Sequence, residues 1–359
     1  MKAAILRAFG TPLQVGEVDD PRLGTGEVIV DVVAAPVLSY TAEVFSGKRR
    51  YALELPTIPG CGAIGRVRAV GPDSTKLASG DWVFCDPTVR SRDDARTPDI
   101  TLQGWSARGE GGLKLQSYFR DGPFASQMRV PTENAFPIGA IEEGDAGRWC
   151  ALVTLLIAYG GLRRMELQAG ETLLVSGATG NFGSAAIAIA IAMGAGCVLG
   201  ARRNREALSG LERRFGRRLR PVHLTGDAET DAATIRQVSP RGIDAVLDFL
   251  PPSAPASLAR TALMAVRPYG RAVLMGGVGM LGGEDLALPY PWIMRNLITV
   301  SGQWMYSREI VPDFVALVRS GLLPLEQFTL AEFSIDDIDH AIAHAATHAG
   351  PFNLTVVRP

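Results

Sequence analysis

The segment Val175-Ser-Gly-Ala-Thr-Gly-Asn-Phe-Gly183 has the residue types and spacing to hold a dinucleotide. The apolar run at 173–176 reads as a strand and the apolar stretch at 183–193 as a helix. A glycine-rich turn between them lets the backbone approach a pyrophosphate and aims the helix N-terminus at it. Gly180 and Gly183 take the second and third positions of GxGxxG, while Ala178 replaces the first glycine with Gly177 just before it. Thr179, Asn181 and Phe182 complete a loop read as a coenzyme cradle. The competing reading is a tight turn that packs a helix on a sheet and holds nothing.

About 20 residues further on, an NAD-preferring site carries an acid for the ribose 2′-hydroxyl. Here that position falls in Gly200-Ala-Arg-Arg-Asn204, with two arginines and no acid. Arg202 and Arg203 can hold a 2′-phosphate by charge-assisted hydrogen bonds or stack on adenine, with Asn204 beside them. The expected coenzyme is NADP(H). Alternatively the pair opens a solvated run, since Arg205, Arg213, Arg214, Arg217, Arg218 and Arg220 follow.

The elements that must position these residues alternate. From residue 150, apolar strands at 173–176, 197–200, 222–224, 243–249 and 272–275 alternate with helices at 204–215, 228–238 and 257–266. That rhythm is the mark of a doubly wound parallel sheet, so the fold class is α/β. The first 150 residues differ, with strands at 2–6, 27–34, 64–70, 82–85 and 124–130 divided by turns. A polar segment at 86–122 reads as one long loop, a feature that is often functional. Helices at 312–320 and 335–346 and a strand at 354–357 close the chain.

Composition narrows the partners. Lys plus Arg (36) and Asp plus Glu (37) leave a net charge of −1 over 359 residues. Such a balance supplies no field for nucleic acid or anionic lipid, so neither is expected as a partner. Residues 172–201 carry no charge and pass a crude membrane-length test. Gly177, Gly180, Gly183, Gly194, Gly196 and Gly200 interrupt them, and the remaining helix is too short to span a bilayer. Cys61, Cys85, Cys150 and Cys197 lie far apart with no CxxC, which excludes a disulfide scaffold and a zinc ribbon. Without a secretory-signal pattern, a reducing cytoplasm is the expected setting.

Several motifs in order resemble the medium-chain dehydrogenase/reductase superfamily across nearly the whole chain. They are Pro59-Gly60-x4-Gly65-x-Val67-x2-Val70-Gly71, Gly80-Asp81-x-Val83, Gly122-Pro-Phe-Ala-Ser126, Cys150-x3-Thr154 and Pro268-Tyr-Gly-Arg-Ala-Val-Leu-Met-Gly-Gly277. The resemblance implies a GroES-like, β-rich catalytic domain at 1–149 and 307–359, with a Rossmann NADP-binding domain inserted at 150–306. It places the active site in the cleft between them. It also implies a homodimer or homotetramer, dimers pairing through the last cofactor-domain strand at about 298–303. Thr154 is implied to pack on the nicotinamide, the backbone of Gly276, Gly277, Val278, Ser301 and Gly302 to meet the carboxamide, and Asn353 to lie near a phosphate.

Zinc members of the family hold their catalytic metal with cysteine, histidine and cysteine. The matching positions here are Leu38, Cys61 and Cys150, with Gly62 in place of the neighbouring glutamate. Two thiols and a leucine do not make a catalytic zinc site, and 86–122 has no cysteine for the structural one, so no metal is expected. Cys61 and Cys150 are either cleft thiols or small buried hydrophobes. His340, His344 and His348 follow helical spacing without a partner acid and read as an exposed helix face. His223 reads as structural.

Hydride transfer to a carbonyl builds charge on oxygen, and some donor must stabilise it. The resemblance puts Tyr40 at the family's proton-relay position, with Ser39 and Thr41 as weaker candidates; a tyrosine capping a turn is the alternative. Trp82, Trp105 and Tyr118 are pocket walls or core. The expected function is a metal-free, NADPH-dependent, quinone oxidoreductase-like reductase acting on a small carbonyl, enone or quinone. A metal-free alcohol dehydrogenase is the second reading, favoured by the long 86–122 segment. A non-enzymatic NADPH-binding sensor or structural protein is the third.

Overall fold

The computed structural model describes residues 1–239 and 241–359. Contacts divide them into two units: Met1–Val153 with Leu325–Ala349 and Asn353–Pro359, and Thr154–Pro324 with Gly350–Phe352.

The first unit begins with strands β1 (Lys2–Ile5), β2 (Gln14–Glu17) and β3 (Glu27–Val37), then helix α1 (Thr41–Phe45). Strands β4 (Ala63–Val70) and β5 (Trp82–Cys85) follow. Next come β6 (Thr88–Arg90), β7 (Ile100–Leu102), β8 (Ser106–Arg108) and helix α2 (Gly109–Tyr118). Strands β9 (Gln127–Pro131) and β10 (Ala135–Pro137) and helix α3 (Ala146–Trp149) complete this stretch. Helix α4 (Leu152–Arg164) leads to the second unit: β11 (Thr172–Ser176), α5 (Asn181–Ala192), β12 (Cys197–Arg202), α6 (Arg205–Phe215) and β13 (Leu219–His223). It continues with α7 (Ala228–Val238), β14 (Ile243–Asp248), α8 (Ala256–Leu263), β15 (Val266–Leu274), α9 (Tyr290–Asn296), β16 (Thr299–Gly302) and α10 (Ile310–Arg319). Strand β17 (Thr329–Ser334), helix α11 (Ile338–Thr347) and strand β18 (Asn353–Arg358) finish the chain.

The first unit is built on a seven-stranded sheet ordered β10-β5-β4-β3-β18-β17, with β9 also paired to β3. The second is a six-stranded parallel sheet ordered β13-β12-β11-β14-β15-β16, a doubly wound order whose direction switches between β11 and β14. Its core joins Leu174, Leu199, Val222 and Val246 to Ile235, Ala262 and Leu263 from the covering helices. Helix α5 is Ala/Ile-rich and buries Gly183 through Ala190, which explains the uncharged run at 172–201 as core. No helix among the described residues is long and apolar enough to cross a membrane.

Two expectations change. Residues 86–122 are not one loop: β6, β7 and β8 form a small antiparallel sheet, and α2 follows. Three-residue strands are too short to show an alternating pattern. The unit boundary also moves from the expected 306/307, because residues 307–324 stay with the second unit. Phe314 of α10 packs on Tyr159 of α4 with ring centroids 5.0 Å apart, and Arg163 pairs with Asp313 at 2.9 Å. At the other end, residues 150–153 group with the first unit rather than the second.

Candidate active site

Strand β11 ends at Ser176, and the chain turns through Gly177 at φ 71°. A Cβ at Gly183 would lie 2.3 Å from the Gly177 carbonyl oxygen, so the helix rides directly on the turn. A Cβ at Gly180, by contrast, would make only ordinary contact, 3.5 Å from the Gly177 carbonyl oxygen. As the N-cap of α5, Gly180 has no side chain to cap the first N–H groups. Ala178 and Thr179 are buried, and Phe182 stacks on Phe249 at 5.8 Å. Together these residues leave a concave backbone surface at a helix N-terminus, which suits a pyrophosphate.

Arg202 ends β12 half-buried, and Arg203 follows exposed. Neither has an acidic partner among the described residues. Burial, with the Arg203 charge beside it, pushes the Arg202 guanidinium below its ordinary value. Two crowded cations at the end of the second strand favour an anion there. Asn204 is engaged locally as the α6 N-cap, its side chain accepting from the Ala207 N–H at 3.1 Å. Among the later arginines, Arg218 donates to the Ala195 carbonyl at 2.7 Å and Arg220 to that of Val238 at 3.0 Å. Arg214 lies 4.0 Å over the Phe352 ring. These three hold the fold rather than form a nucleic-acid surface.

At the topological switch the Ser176 hydroxyl donates to Asp248 Oδ1. The Leu250 and Gly276 N–H groups also donate to this carboxyl, yet burial holds it above its ordinary value. Asp248 thus ties together the carboxyl ends of β11, β14 and β15. Sequence reasoning missed it, although an acid closing an apolar strand was the available signal. Gly277 and Val278 follow β15, while Ser301 and Gly302 pair with Val273 and Leu274 from β16. Thr154 is half-buried on the first turn of α4. Asn353 lies in the first unit, and its amide donates to the His348 carbonyl at 2.9 Å.

In the first unit, Leu38, Cys61 and Cys150 are all buried. Burial pushes the Cys61 and Cys150 thiols well up, and Asp86 adds to the effect at Cys61. Cys85 is pushed up to about 12, again by burial and then Asp86. Gly62 has φ 73°, and a Cβ there would meet Val153 at 2.8 Å, so this backbone has no room for the glutamate of zinc members. Leucine offers no donor and Gly62 leaves no room for a carboxylate, so the set falls short of the three protein ligands a catalytic zinc ion needs. No group of three or more His, Cys, Asp or Glu side chains suited to a metal occurs among the described residues. His344 and His348 stack at 4.0 Å, while His340 lies 3.8 Å from Asp337.

Tyr40 sits immediately before α1, half-buried. Its ring meets Trp105 edge-on at 5.7 Å, and the Arg49 guanidinium lies 4.2 Å above it. Burial, with Tyr51 and Cys61 nearby, holds the phenol well above its ordinary value; Arg49 and a hydrogen bond from Trp105 oppose that. Ser39 is half-buried, whereas Thr41 is enclosed, its hydroxyl without a hydrogen-bond partner among the described residues, which removes it from reach of a substrate. Trp105 and Trp82 are core, the latter under Arg66 at 4.4 Å, and Tyr118 is exposed against Arg129. Arg49 and Tyr51 were not foreseen.

One unit with a doubly wound sheet and a glycine-rich turn, and one β-rich unit, make up a chain of the kind found in nicotinamide-dependent oxidoreductases. Residues 24–140 match the alcohol dehydrogenase GroES-like domain, and residues 182–320 match the family described as zinc-binding dehydrogenase. The chain belongs to the medium-chain dehydrogenase/reductase superfamily. An alcohol dehydrogenase of Moraxella sp. (strain TAE123) is 32% identical over 206 residues, 54% of this chain and 56% of that protein. The acryloyl-coenzyme A reductase of Metallosphaera sedula is 32% identical over 201 residues, 54% of this chain and 57% of that one. The match thus spans little more than half the length of these relatives. An NAD-dependent alcohol dehydrogenase of Sulfolobus acidocaldarius is 27% identical over 270 residues, 70% of this chain and 71% of its own. The fold is shared with a thermostable alcohol dehydrogenase from Pyrobaculum aerophilum, at 23% identity and a TM-score of 0.75, over 100% of this chain and 99% of that one.

Proposed function

We propose that this chain is an NADP(H)-dependent reductase of a small carbonyl, enone or quinone that works without a catalytic metal ion. The observation that carries the coenzyme reading is the pair Arg202 and Arg203, which has no acidic partner among the described residues where NAD sites place an acid. The 177–183 backbone and the α5 N-terminus hold the pyrophosphate, and the two guanidinium groups hold the 2′-phosphate. Thr154, Gly276, Gly277, Val278, Ser301 and Gly302 are assigned to the nicotinamide end, and Asp248 fixes the strand ends that carry the cradle. When bound, the nicotinamide supplies a hydride.

Tyr40 Oη donates a hydrogen bond to the acceptor oxygen and then its proton as charge builds there. Burial holds the phenol above its ordinary value, so at neutral pH it carries the proton that a hydrogen bond to the acceptor oxygen needs. The name of the Metallosphaera relative supports a conjugated acceptor. Alcohol oxidation is the second reading, supported by the names of the Moraxella and Sulfolobus relatives. The outer edge of β16 has no strand partner among the described residues, and Tyr290, Met294 and Leu297 are exposed on or beside α9. A second copy pairing along that edge would cover both.

The test follows coenzyme consumption with 1,4-benzoquinone, crotonaldehyde and butanone, NADPH against NADH, with elemental analysis of the same sample. NADPH is expected to be preferred, without stoichiometric zinc. A preference for NADH overturns the coenzyme assignment, and activity that tracks bound zinc overturns the metal-free reading.

A further inference from the structure

We propose that Asp248 is a positioning residue that sets the register between the pyrophosphate turn at 177–183 and the nicotinamide turn at 276–278. The inference rests on the assignment of these two turns to opposite ends of the coenzyme, and says what keeps them aligned.

Asp248 closes β14, the strand beside β11, and is 3% exposed. A carboxyl so deeply buried has to meet donors from the protein itself. Ser176 supplies one, its hydroxyl donating to Oδ1, and it is buried as well. Ser176 ends β11, so this bond fixes the residue from which the pyrophosphate turn leaves. The other carboxyl oxygen lies against the nicotinamide turn. A Cβ at Gly276 would fall 2.4 Å from Asp248 Oδ2 and 2.7 Å from the Leu250 carbonyl oxygen, so only glycine lets that turn rest on the carboxyl. No lysine or arginine pairs with Asp248 among the described residues. Its shape and its lone pairs, rather than an ion pair, are what the two turns share.

The backbone repeats the arrangement. The Phe249 N–H donates to the Ser176 carbonyl at 3.2 Å, the Met275 N–H to that of Asp248 at 3.1 Å, and the Gly277 N–H to that of Leu250 at 2.8 Å. A Cβ at Gly177 would lie 2.5 Å from the Phe249 carbonyl oxygen. Residues 248–250 are therefore wedged between the two turns and touch both. The turns differ in how far they stand alone. The pyrophosphate turn is closed by its own bonds, from the Gly180 N–H to the Gly177 carbonyl at 3.0 Å and from the Ser184 N–H to the Gly180 carbonyl at 2.9 Å. The nicotinamide turn is entered through its bonds to Asp248 and Leu250. Loss of the carboxyl therefore displaces the nicotinamide end more than the pyrophosphate end.

The test compares calorimetric Kd values for NADPH and for 2′-phospho-ADP-ribose, the same molecule without its nicotinamide. D248A is expected to weaken NADPH about tenfold more than it weakens 2′-phospho-ADP-ribose, the size of one lost buried hydrogen-bonding group. S176A is expected to act in the same direction by about threefold, and to add nothing in the D248A background, because the two residues share one bond. Equal weakening of both ligands is what a merely structural carboxyl would give, and it overturns the proposal, as does no weakening of either. If D248A fails to fold by near-ultraviolet circular dichroism, S176A decides, and an unchanged ratio of the two Kd values overturns the proposal. The coenzyme reading fails separately. A wild type that binds NADH and ADP-ribose but not the phosphorylated pair overturns the NADP(H) assignment alone, and the same ratio is then read on NADH and ADP-ribose. A wild type that binds the ligand with and without nicotinamide equally tightly overturns the assignment of 276–278, and the positioning role with it.

Discussion

The glycine turn at 177–183 and the side-chain cluster around Tyr40 are built from different materials. The cradle is backbone: glycines, a helix end and N–H groups that any sequence with the right small residues reproduces. The cluster is side chains: a phenol, an indole and a guanidinium, with the Cys61 thiol nearby and a leucine at the first of the three positions that hold zinc in related chains. A backbone site tolerates drift at most positions and fails abruptly at a few. A side-chain site can lose one chemistry and keep its shape for another.

The comparison breaks most sharply at Gly183. A Cβ there meets backbone at 2.3 Å and 2.8 Å, and backbone cannot step aside as a flexible side chain can. G183A is expected to weaken NADPH binding by more than about 100-fold, as fluorescence titration would show, because the helix end that faces the phosphates is pushed away. Binding within a factor of two of the wild type would show that α5 has freedom the contacts deny it. Y40F is expected to lower kcat by about 10²–10³ with NADPH Kd unchanged, the range of one acid–base group. That split separates the two regions: one variant loses coenzyme, the other loses chemistry. R202A/R203A comes next, expected to lower kcat/KM for NADPH about 100-fold while leaving NADH within a factor of three, since it removes only the groups proposed to meet the 2′-phosphate. Equal losses with both coenzymes would mean the pair supports the fold instead.

The difference in material also explains what the sequence revealed. The glycine turn at 177–183 is contiguous, seven residues leading from a strand into a helix, and Arg202 lies at the end of the next strand, so spacing alone picks out both segments. The parallel order of the second sheet followed from strand and helix alternation. Trp105 reaches Tyr40 from 65 positions away through strands of three residues, which carry no readable period. Arg49 was in plain sight nine residues from Tyr40, but nothing local says that its side chain folds back over the ring. Asp248 and Ser176 meet only because β14 and β11 are neighbours in the sheet. The unit boundary shifted for the same reason: Phe314 finds Tyr159 across a distance in sequence that no window spans.

The smallest effect lies in the second unit, away from the cradle, and shows how firmly that scaffold is held. Arg271 on β15 clasps Glu171 with two nitrogens, at 2.9 Å and 2.5 Å, and also donates to the Glu166 carbonyl, fixing the loop before β11. Burial alone would raise the Glu171 carboxyl, but Arg271 and the Gln168 N–H outweigh it and hold it below its ordinary value. A carboxyl depressed in the folded state adds stability above its unfolded value, and that contribution is lost as pH falls through the folded one. E171Q is therefore expected to lower Tm by about 2–4 °C at pH 7, the size of a partly screened ion pair near the surface. The gap should narrow as pH drops below 4.5, the ordinary glutamate value. A gap that stays constant down to acid pH would place the cost in lost packing, and the strand β11 that launches the cradle would then owe its position to the sheet alone.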